Sequence, residues 1–157
     1  MTPTSIPPTP QPTATPINYA GSYAFTGTLT GGNPSNTSTT YGTIITGGSW
    51  TTTSTNGQAT AQVAGTAEYL TVTIGAAPGL GKSYTFTLEK NAADTAITCQ
   101  ITGTTATSCT DLAHTATFAA TDKINMKCVP ASSPASITGV LTTTWTFATG
   151  ASGLPLQ

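Results

Sequence analysis

The fold is decided by the stretch from Gly81 to Val129, which reads GKSYTFTLEKNAADTAITCQITGTTATSCTDLAHTATFAATDKINMKCV. Apolar residues recur there at every second position, in the runs 84–88, 97–101 and 124–128. A period of two places one set of side chains on a buried face and the other on a solvated face. Turn-forming residues separate the runs at 91–94, 103–104 and 121–122. We therefore predict antiparallel strands throughout this stretch.

Two further strands flank this stretch. The first covers residues 65–74, where Leu70, Val72 and Ile74 should face the core while Tyr69, Thr71 and Thr73 face solvent. The second is predicted over 137–147, with Leu141, Trp145 and Phe147 on its buried face. Both strands follow the same alternation as the central stretch, so all of them should share one core.

Shorter strands are predicted in the N-terminal half, over 19–30, 43–53 and 58–63. In the first of these, Tyr23 and Phe25 fall on one face. The second is interrupted by Gly47–Gly48, which we interpret as a β-bulge. Asn56–Gly57 is the strongest hairpin signal in the chain, because a type I′ turn needs positive φ at both central residues.

Eight to ten short strands with turns at close intervals, and no helical period, predict an all-β antiparallel sandwich or barrel. A jelly roll is preferred to an immunoglobulin-like sandwich for two reasons. The strand count is high for the latter, and the Cys…Trp…Cys spacing of antibody domains is missing from the sequence.

Charge is scarce in this chain of 157 residues, of which only 6% are charged, and arginine does not occur. Four lysines and a net charge of −1 provide no basic surface for phosphate backbones, so nucleic-acid binding is not expected. Low net charge favours association, so we expect an oligomer or a part of a larger assembly. We expect no membrane partner, since no apolar run approaches the roughly 20 residues that span a bilayer. No Sec-type signal is recognised after Met1.

Residues 1–18 are predicted to form an extended arm, because six prolines interleave there with Thr, Ser, Gln and Ala. Such a segment buries too little apolar surface to order itself, so a partner surface should hold it. The sandwich domain is expected over 19–149, followed by a short extension over 150–157. The residues expected to contact the partner are Pro3, Ile6, Pro7, Pro8, Pro10, Pro12, Pro16 and Ile17.

Three cysteines leave at least one thiol unpaired within the chain. Cys99 and Cys109 flank the turn region 100–108 and are placed to face each other across a hairpin, so we predict a disulfide between them. Cys128 alternates with Ile124 and Met126, which predicts a small buried apolar side chain.

No pattern in the sequence predicts catalysis or a cofactor. Gly81–Ser83 looks like the end of a phosphate-binding loop, but the residues that follow predict a strand where that motif needs a helix. His114 is the only histidine; without a nucleophile motif, it is interpreted as a strand-end residue hydrogen-bonded to Asp111. Carboxylates, cysteines and histidine lack metal-site spacing, so no metal is expected. Among the aromatic residues, Trp50 and Tyr69 are the candidates for glycan contact.

One family resemblance covers less than half of the chain. Residues 79–147 resemble a domain recurrent among structural proteins of tailed bacteriophages, through Pro78–Phe86, Lys90–Thr95, Thr98–Ile101, Ser108–Thr110, His114–Thr115, Asp122–Lys123 and Val129–Pro130. The matching residues are turn and strand residues rather than catalytic ones. The family pattern usually has glycine before the Asp-Lys turn, where this chain has Thr121.

This resemblance implies a trimeric jelly roll on a virion surface, in a tail fibre or associated with the capsid. The expected function is therefore that of a structural virion protein, a capsid decoration or cement protein anchored through its arm to the major capsid protein or other virion subunits. The alternative is an extracellular module that binds a carbohydrate or a receptor in a tail fibre or tail tip. Neither hypothesis involves an enzyme.

Overall fold

A computed structural model describes residues 32–44, 49–139 and 141–149, and in addition the backbone of 21–29. Within these ranges the chain forms nine strands and one 3-10 helix, Ser54–Gly57. The strands are β1 (Gly21–Leu29), β2 (Thr40–Gly42), β3 (Ala59–Thr60), β4 (Gly65–Thr73), β5 (Gly79–Lys90), β6 (Ala93–Gly103), β7 (Ser108–Phe118), β8 (Lys123–Ala131) and β9 (Leu141–Thr149).

Two antiparallel sheets contain these strands. The first sheet has the order β1-β9-β4-β7, and the second has the order β2-β8-β5-β6, with β3 also pairing with β8. Leaving aside the two-residue β3, the first strand pairs with the last, the second with the next to last, and so on inward to the β5–β6 hairpin. A long hairpin wound around two sheets in this way is a jelly roll. The predicted all-β jelly-roll sandwich is therefore confirmed.

The core lies between the two sheets and follows the predicted alternation. Leu70 and Val72 of the first sheet are completely buried, as are Tyr84 and Phe86 of the second. Burying one such side chain stabilises the fold by roughly 1.5–3 kcal/mol. The Tyr84 hydroxyl donates a 3.0 Å hydrogen bond to the carbonyl of Ala135, and burial raises the pKa of Tyr84 to about 12.

The segment between β1 and β4 differs from the prediction. Instead of a strand over 43–53, the structure has β2 at Thr40–Gly42, after which the chain returns so that Tyr41 and Thr51 exchange two backbone hydrogen bonds. The strand predicted over 58–63 is reduced to Ala59–Thr60. The physical reason is that β8 offers one free edge, and β2 and β3 share it in series.

The type I′ turn lies elsewhere than predicted. Gly57 belongs to the 3-10 helix, and neither Asn56 nor Gly57 has positive φ. Gly57 is required there for close approach, because a Cβ on it would lie 3.0 Å from the carbonyl oxygen of Tyr41. A hairpin turn with positive φ at both central residues is formed by Asn91–Ala92, between β5 and β6, with φ of 52° and 64°.

The last strand begins four residues later than predicted and ends two residues later: Ile137 is buried, but β9 begins at Leu141, after Gly139 with φ 82°. Leu141, Trp145 and Phe147 face the core as predicted. Strand β1 falls within the predicted 19–30. The predictions for the arm 1–18, the extension 150–157, the Gly47–Gly48 bulge and the faces of Tyr23 and Phe25 lie outside what the structure describes.

Candidate binding surface

The two sheets carry different chemistry on their outer faces. All four lysines of the chain lie on the second sheet: Lys82 and Lys90 on β5, Lys123 and Lys127 on β8. On the strands of the first sheet the only carboxylates are Glu68 and Asp111, and the Asp111 side chain is buried. The first sheet therefore presents a nearly uncharged outer face.

Hydroxyl groups form two rows across this face. The register of β9, β4 and β7 aligns Thr142, Thr73 and Ser108 in one row and Thr144, Thr71 and Thr110 in the next. Neighbours within a row have Cβ atoms about 4.5–5.5 Å apart, and the rows are separated by about 6.8 Å along the strands. In the backbone register, Thr28 and Thr26 of β1 continue the two rows. We call the six aligned residues of β9, β4 and β7 the hydroxyl face.

The hydroxyls of this face remain available to a ligand, whereas several on the outer face of the second sheet are paired. On the second sheet Thr87 and Thr98 are hydrogen-bonded at 3.0 Å, and the Gln100 amide donates to Thr85 at 3.0 Å. No side chain of the hydroxyl face makes a hydrogen bond to another residue in the described part of the chain. A row of threonines presents rigid methyl and hydroxyl groups together, because the β-branched side chain has little χ1 freedom.

A double bulge borders the hydroxyl face. Between the paired residues Leu70–Asp111 and Glu68–Thr115, β4 has one extra residue, Tyr69, and β7 has three, at 112–114. Tyr69 is 48% exposed, and its φ of 58° is unusual for an aromatic residue. Ala67 and Leu70 on either side of the bulge are both completely buried, although strict alternation would put residues three positions apart on opposite faces. The extra residue of the bulge therefore keeps both of them on the inward face of β4.

Leu112 and His114 lie on the opposite strand of this bulge. Leu112 is 66% exposed, and it follows the buried Asp111 directly. The His114 side chain is 56% exposed, and its Nδ1 lies 3.0 Å from the Asp111 carboxylate. A carboxylate only accepts hydrogen bonds, so Nδ1 is the donor, and in the neutral form of the ring this makes Nε2 the acceptor. An exposed aromatic, an exposed aliphatic and an imidazole acceptor thus adjoin the hydroxyl face.

Asp111 holds the bulge of β7 in place. Its carboxylate accepts hydrogen bonds from the backbone N–H groups of Ala113 and His114 at 3.1 Å, and from Thr98 at 2.9 Å. Desolvation alone would raise the pKa of Asp111, but these three backbone donors and the His114 ring outweigh it. The pKa of this carboxyl consequently lies below its ordinary value.

A disulfide lies beside this carboxylate. The structure joins Cys99 of β6 to Cys109 of β7, with 5.6 Å between the Cα atoms. Because β6 and β7 are edge strands of different sheets, the bridge and the Thr98–Asp111 hydrogen bond tie the two sheets together at one side of the sandwich. Cys128 is a buried free thiol, and burial raises its pKa.

The other predicted glycan contact does not join this surface. Trp50 is half-buried and packs against β2 of the second sheet, where a Cβ on Gly42 would lie 3.0 Å from its ring. Its indole Nε1 is buried without a partner among the described residues. Trp50 and Tyr69 therefore belong to different sheets and do not form one aromatic platform.

The second sheet contains a buried polar cluster that the sequence did not predict. Glu89 is 3% exposed, and its Oε2 accepts 2.8 Å hydrogen bonds from the Ser54 hydroxyl and the Asn125 amide. The 3-10 helix covers this cluster, since Ser54 is its first residue. In the described ranges, no three His, Cys, Asp or Glu side chains come together as a metal site requires. The cluster therefore serves to fasten the 3-10 helix to the sheet.

The phosphate-loop pattern lies in a strand. Gly81–Ser83 falls within β5, with φ of 68° at Gly81, and Lys82 donates a 2.9 Å hydrogen bond to the carbonyl of Ser133.

The described residues include no helix long and apolar enough to cross a membrane. No protein-family model, no curated protein and no solved structure matches this chain.

Proposed function

We propose that this protein is a non-enzymatic structural component of a virion surface, a capsid decoration or cement protein whose N-terminal arm anchors the jelly roll to neighbouring subunits. The supporting observation is the position where the arm joins the domain. Gly21, the first residue of β1, pairs with Thr149, the last residue of β9, so both terminal segments join the sandwich at the same end of the first sheet.

This arrangement suits an anchor that leaves the rest of the domain free. Strand β1 is an edge strand, so an arm continuing from Gly21 need not cross either sheet face. The hydroxyl face lies toward the opposite end of the same sheet, because Thr142 and Thr144 are separated from Thr149 by most of β9. An arm held on the shell would therefore place the hydroxyl face in the half of the domain that is farther from the shell.

Association as a trimer is part of this proposal. A domain with a net charge of −1 has little electrostatic repulsion between copies, and several linked arms multiply weak contacts through effective concentration. Light scattering on the purified chain should give three times the 15.7 kDa mass of one copy. A monomer at the concentrations used for particle binding would contradict the trimer.

Rebinding to stripped particles tests the anchoring role. Particles from which this protein has been removed are incubated with the full chain, with a chain lacking residues 1–16, and with a chain whose arm is replaced by a Gly/Ser segment of equal length. We expect only the full chain to restore occupancy, while circular dichroism shows the same folded domain for all three. Full occupancy by the truncated chain would refute the arm's role, and binding only at a tail tip would assign the protein to the receptor-binding class.

A further inference from the structure

We propose that the hydroxyl face and the double bulge beside it form a binding site for a neutral glycan. The inference concerns a surface distinct from the anchoring arm and does not depend on the anchoring role. Tyr69 and Leu112 would contact the apolar face of a sugar ring, while the threonine hydroxyls and His114 would hydrogen-bond to its hydroxyl groups.

Two exposed apolar side chains would provide the contact with a sugar ring. Tyr69 and Leu112 are two of the four large hydrophobic side chains that are exposed in the described part of the chain, and they flank one bulge from opposite strands. Exposing them costs hydration free energy, and the positive φ of Tyr69 adds backbone strain of about 1 kcal/mol or more. Aromatic side chains with one apolar face and one polar tip are enriched where a surface binds a partner.

Hydroxyl groups and an imidazole nitrogen would provide the hydrogen bonds to the sugar. The Thr71 and Thr110 hydroxyls lie in the row next to the bulge, and neither is bonded to another described residue. Each hydroxyl is both donor and acceptor, and the His114 Nε2 adds an acceptor, which matches the mixed donor and acceptor character of sugar hydroxyls. Asp111 fixes the orientation of this imidazole from below, so the acceptor is preorganised.

The scarcity of charge on the first sheet selects the class of ligand. No lysine lies on the first sheet, and arginine does not occur in the chain, so an acidic sugar would lose its hydration without gaining a cationic partner. Glu68 lies one row beyond the second hydroxyl row, and its carboxylate would also repel an acidic sugar. A stable protein partner would need about 800 Å² of this surface with a desolvated apolar core, and Tyr69 and Leu112 are the only large exposed apolar side chains near it in the described part of the chain. A neutral oligosaccharide therefore fits this surface better than an acidic sugar or a protein partner does.

The test is a glycan array that contains neutral gluco-, galacto- and manno-oligosaccharides beside sialylated and sulfated ones, probed with the full chain. We expect saturable binding to neutral members. The best neutral oligosaccharide is then titrated into the isotopically labelled protein, and the amide resonances of Tyr69, Leu112 and Thr110 should shift. Absence of binding, binding to acidic members alone, or shifts confined to the second sheet would each overturn the proposal.

Two variants with a matched control complete the test. Tyr69→Asn removes the ring and keeps a residue that tolerates positive φ, and Thr110→Lys places a charge and added bulk in the second row. Each should weaken the affinity about tenfold or more. Thr102→Lys, at an exposed position of β6 on the second sheet, should leave the affinity unchanged. Equal affinity of all three variants would overturn the proposal, and the resonance shifts of the unmodified protein provide the answer if a variant fails to fold.

Discussion

The carboxylate of Asp111, on the edge strand of one sheet, accepts a 2.9 Å hydrogen bond from the backbone N–H of Thr98, on the edge strand of the other. An edge strand has unpaired N–H groups, and a buried N–H group that lacks a hydrogen-bond partner costs free energy. Asp111 satisfies the Thr98 N–H group and at the same time holds the bulge of β7. One side chain therefore couples closure of the sandwich to the shape of the candidate binding surface.

The Asp111→Asn variant should lower the free energy of unfolding at pH 7 by about 2–3 kcal/mol, because charge-assisted hydrogen bonds are replaced and an amide N–H₂ group faces backbone donors. Urea denaturation measures this loss. Asp94→Asn is the control: Asp94 is 55% exposed and pairs with Lys127 at the surface, so its replacement should change stability by less than about 1 kcal/mol. Equal effects would contradict the role of Asp111.

The same variant has a defined pH signature. The pKa of Asp111 is lower in the folded protein than in the unfolded chain, so its stabilisation is fully present above about pH 3.9 and is lost as the pH falls through the folded value. The pKa of Asp122 is also lowered, mainly by a hydrogen bond from the Asn91 side chain, so Asp122 contributes to the stability over the same pH interval. The free energy of unfolding of Asp111→Asn should therefore fall less steeply below pH 4 than that of the unmodified protein.

The turn at Asn91–Ala92 predicts a stabilising substitution. Ala92 has φ of 64°, a conformation that costs a residue with a Cβ about 1 kcal/mol or more, and glycine adopts it freely. Ala92→Gly should raise the melting temperature, with a gain of about 0.5–1 kcal/mol in the free energy of unfolding. Ala93→Gly, in the adjoining strand β6, should destabilise. A loss of stability in Ala92→Gly would contradict the turn.

Substitutions at Gly57 and Asn56 distinguish the 3-10 helix from a hairpin turn. Gly57→Ala should destabilise by about 1–3 kcal/mol, because the new Cβ would lie 3.0 Å from the Tyr41 carbonyl oxygen, and backbone does not move aside cheaply. Asn56→Ala should change stability by less than about 0.5 kcal/mol, since Asn56 is exposed and its φ is not positive. In a type I′ turn both substitutions would be costly, so a substantial loss in Asn56→Ala, measured by thermal unfolding, would contradict the helix.

Thiol titration tests the cysteine arrangement. The native protein should give no reactive thiol, because Cys128 is completely buried and burial raises its pKa. Denaturation without reductant should release one thiol per chain, and reduction should release three. Removing the bridge with Cys99→Ser and Cys109→Ser should cost about 3 kcal/mol. Three thiols in the denatured, unreduced protein would exclude the disulfide.

Most of the fold was predictable because it depends on alternation. From Leu70 onward the apolar core positions of β4, β5, β8 and β9 follow the period of two that the sequence shows, although Ser83, Thr87, Glu89 and Asn125 at the alternate positions of β5 and β8 are buried as well. The region 40–60 was not predictable in this way. Its structure depends on which strand edge is free and on how closely Gly57 can approach Tyr41, and these are tertiary contacts that the local pattern does not encode.

The candidate binding surface was predicted only through Tyr69. The signal for the rest was present but ambiguous: Asp111 stands at an inward position of β7, where an apolar residue is expected, and a buried carboxylate must find several donors. The donors come from a bulge and from the other sheet, so the partners of Asp111 emerge only in three dimensions. The hydroxyl rows required the strand register, which depends on the order β9-β4-β7.

Electron cryomicroscopy of particles that carry the full chain tests the central claim most directly. We expect a domain joined to the shell at the end of the first sheet where Gly21 pairs with Thr149, with density for the arm along neighbouring subunits and with the hydroxyl face in the half of the domain farther from the shell. A domain whose hydroxyl face packs against the shell, or one found at no shell position, would contradict it.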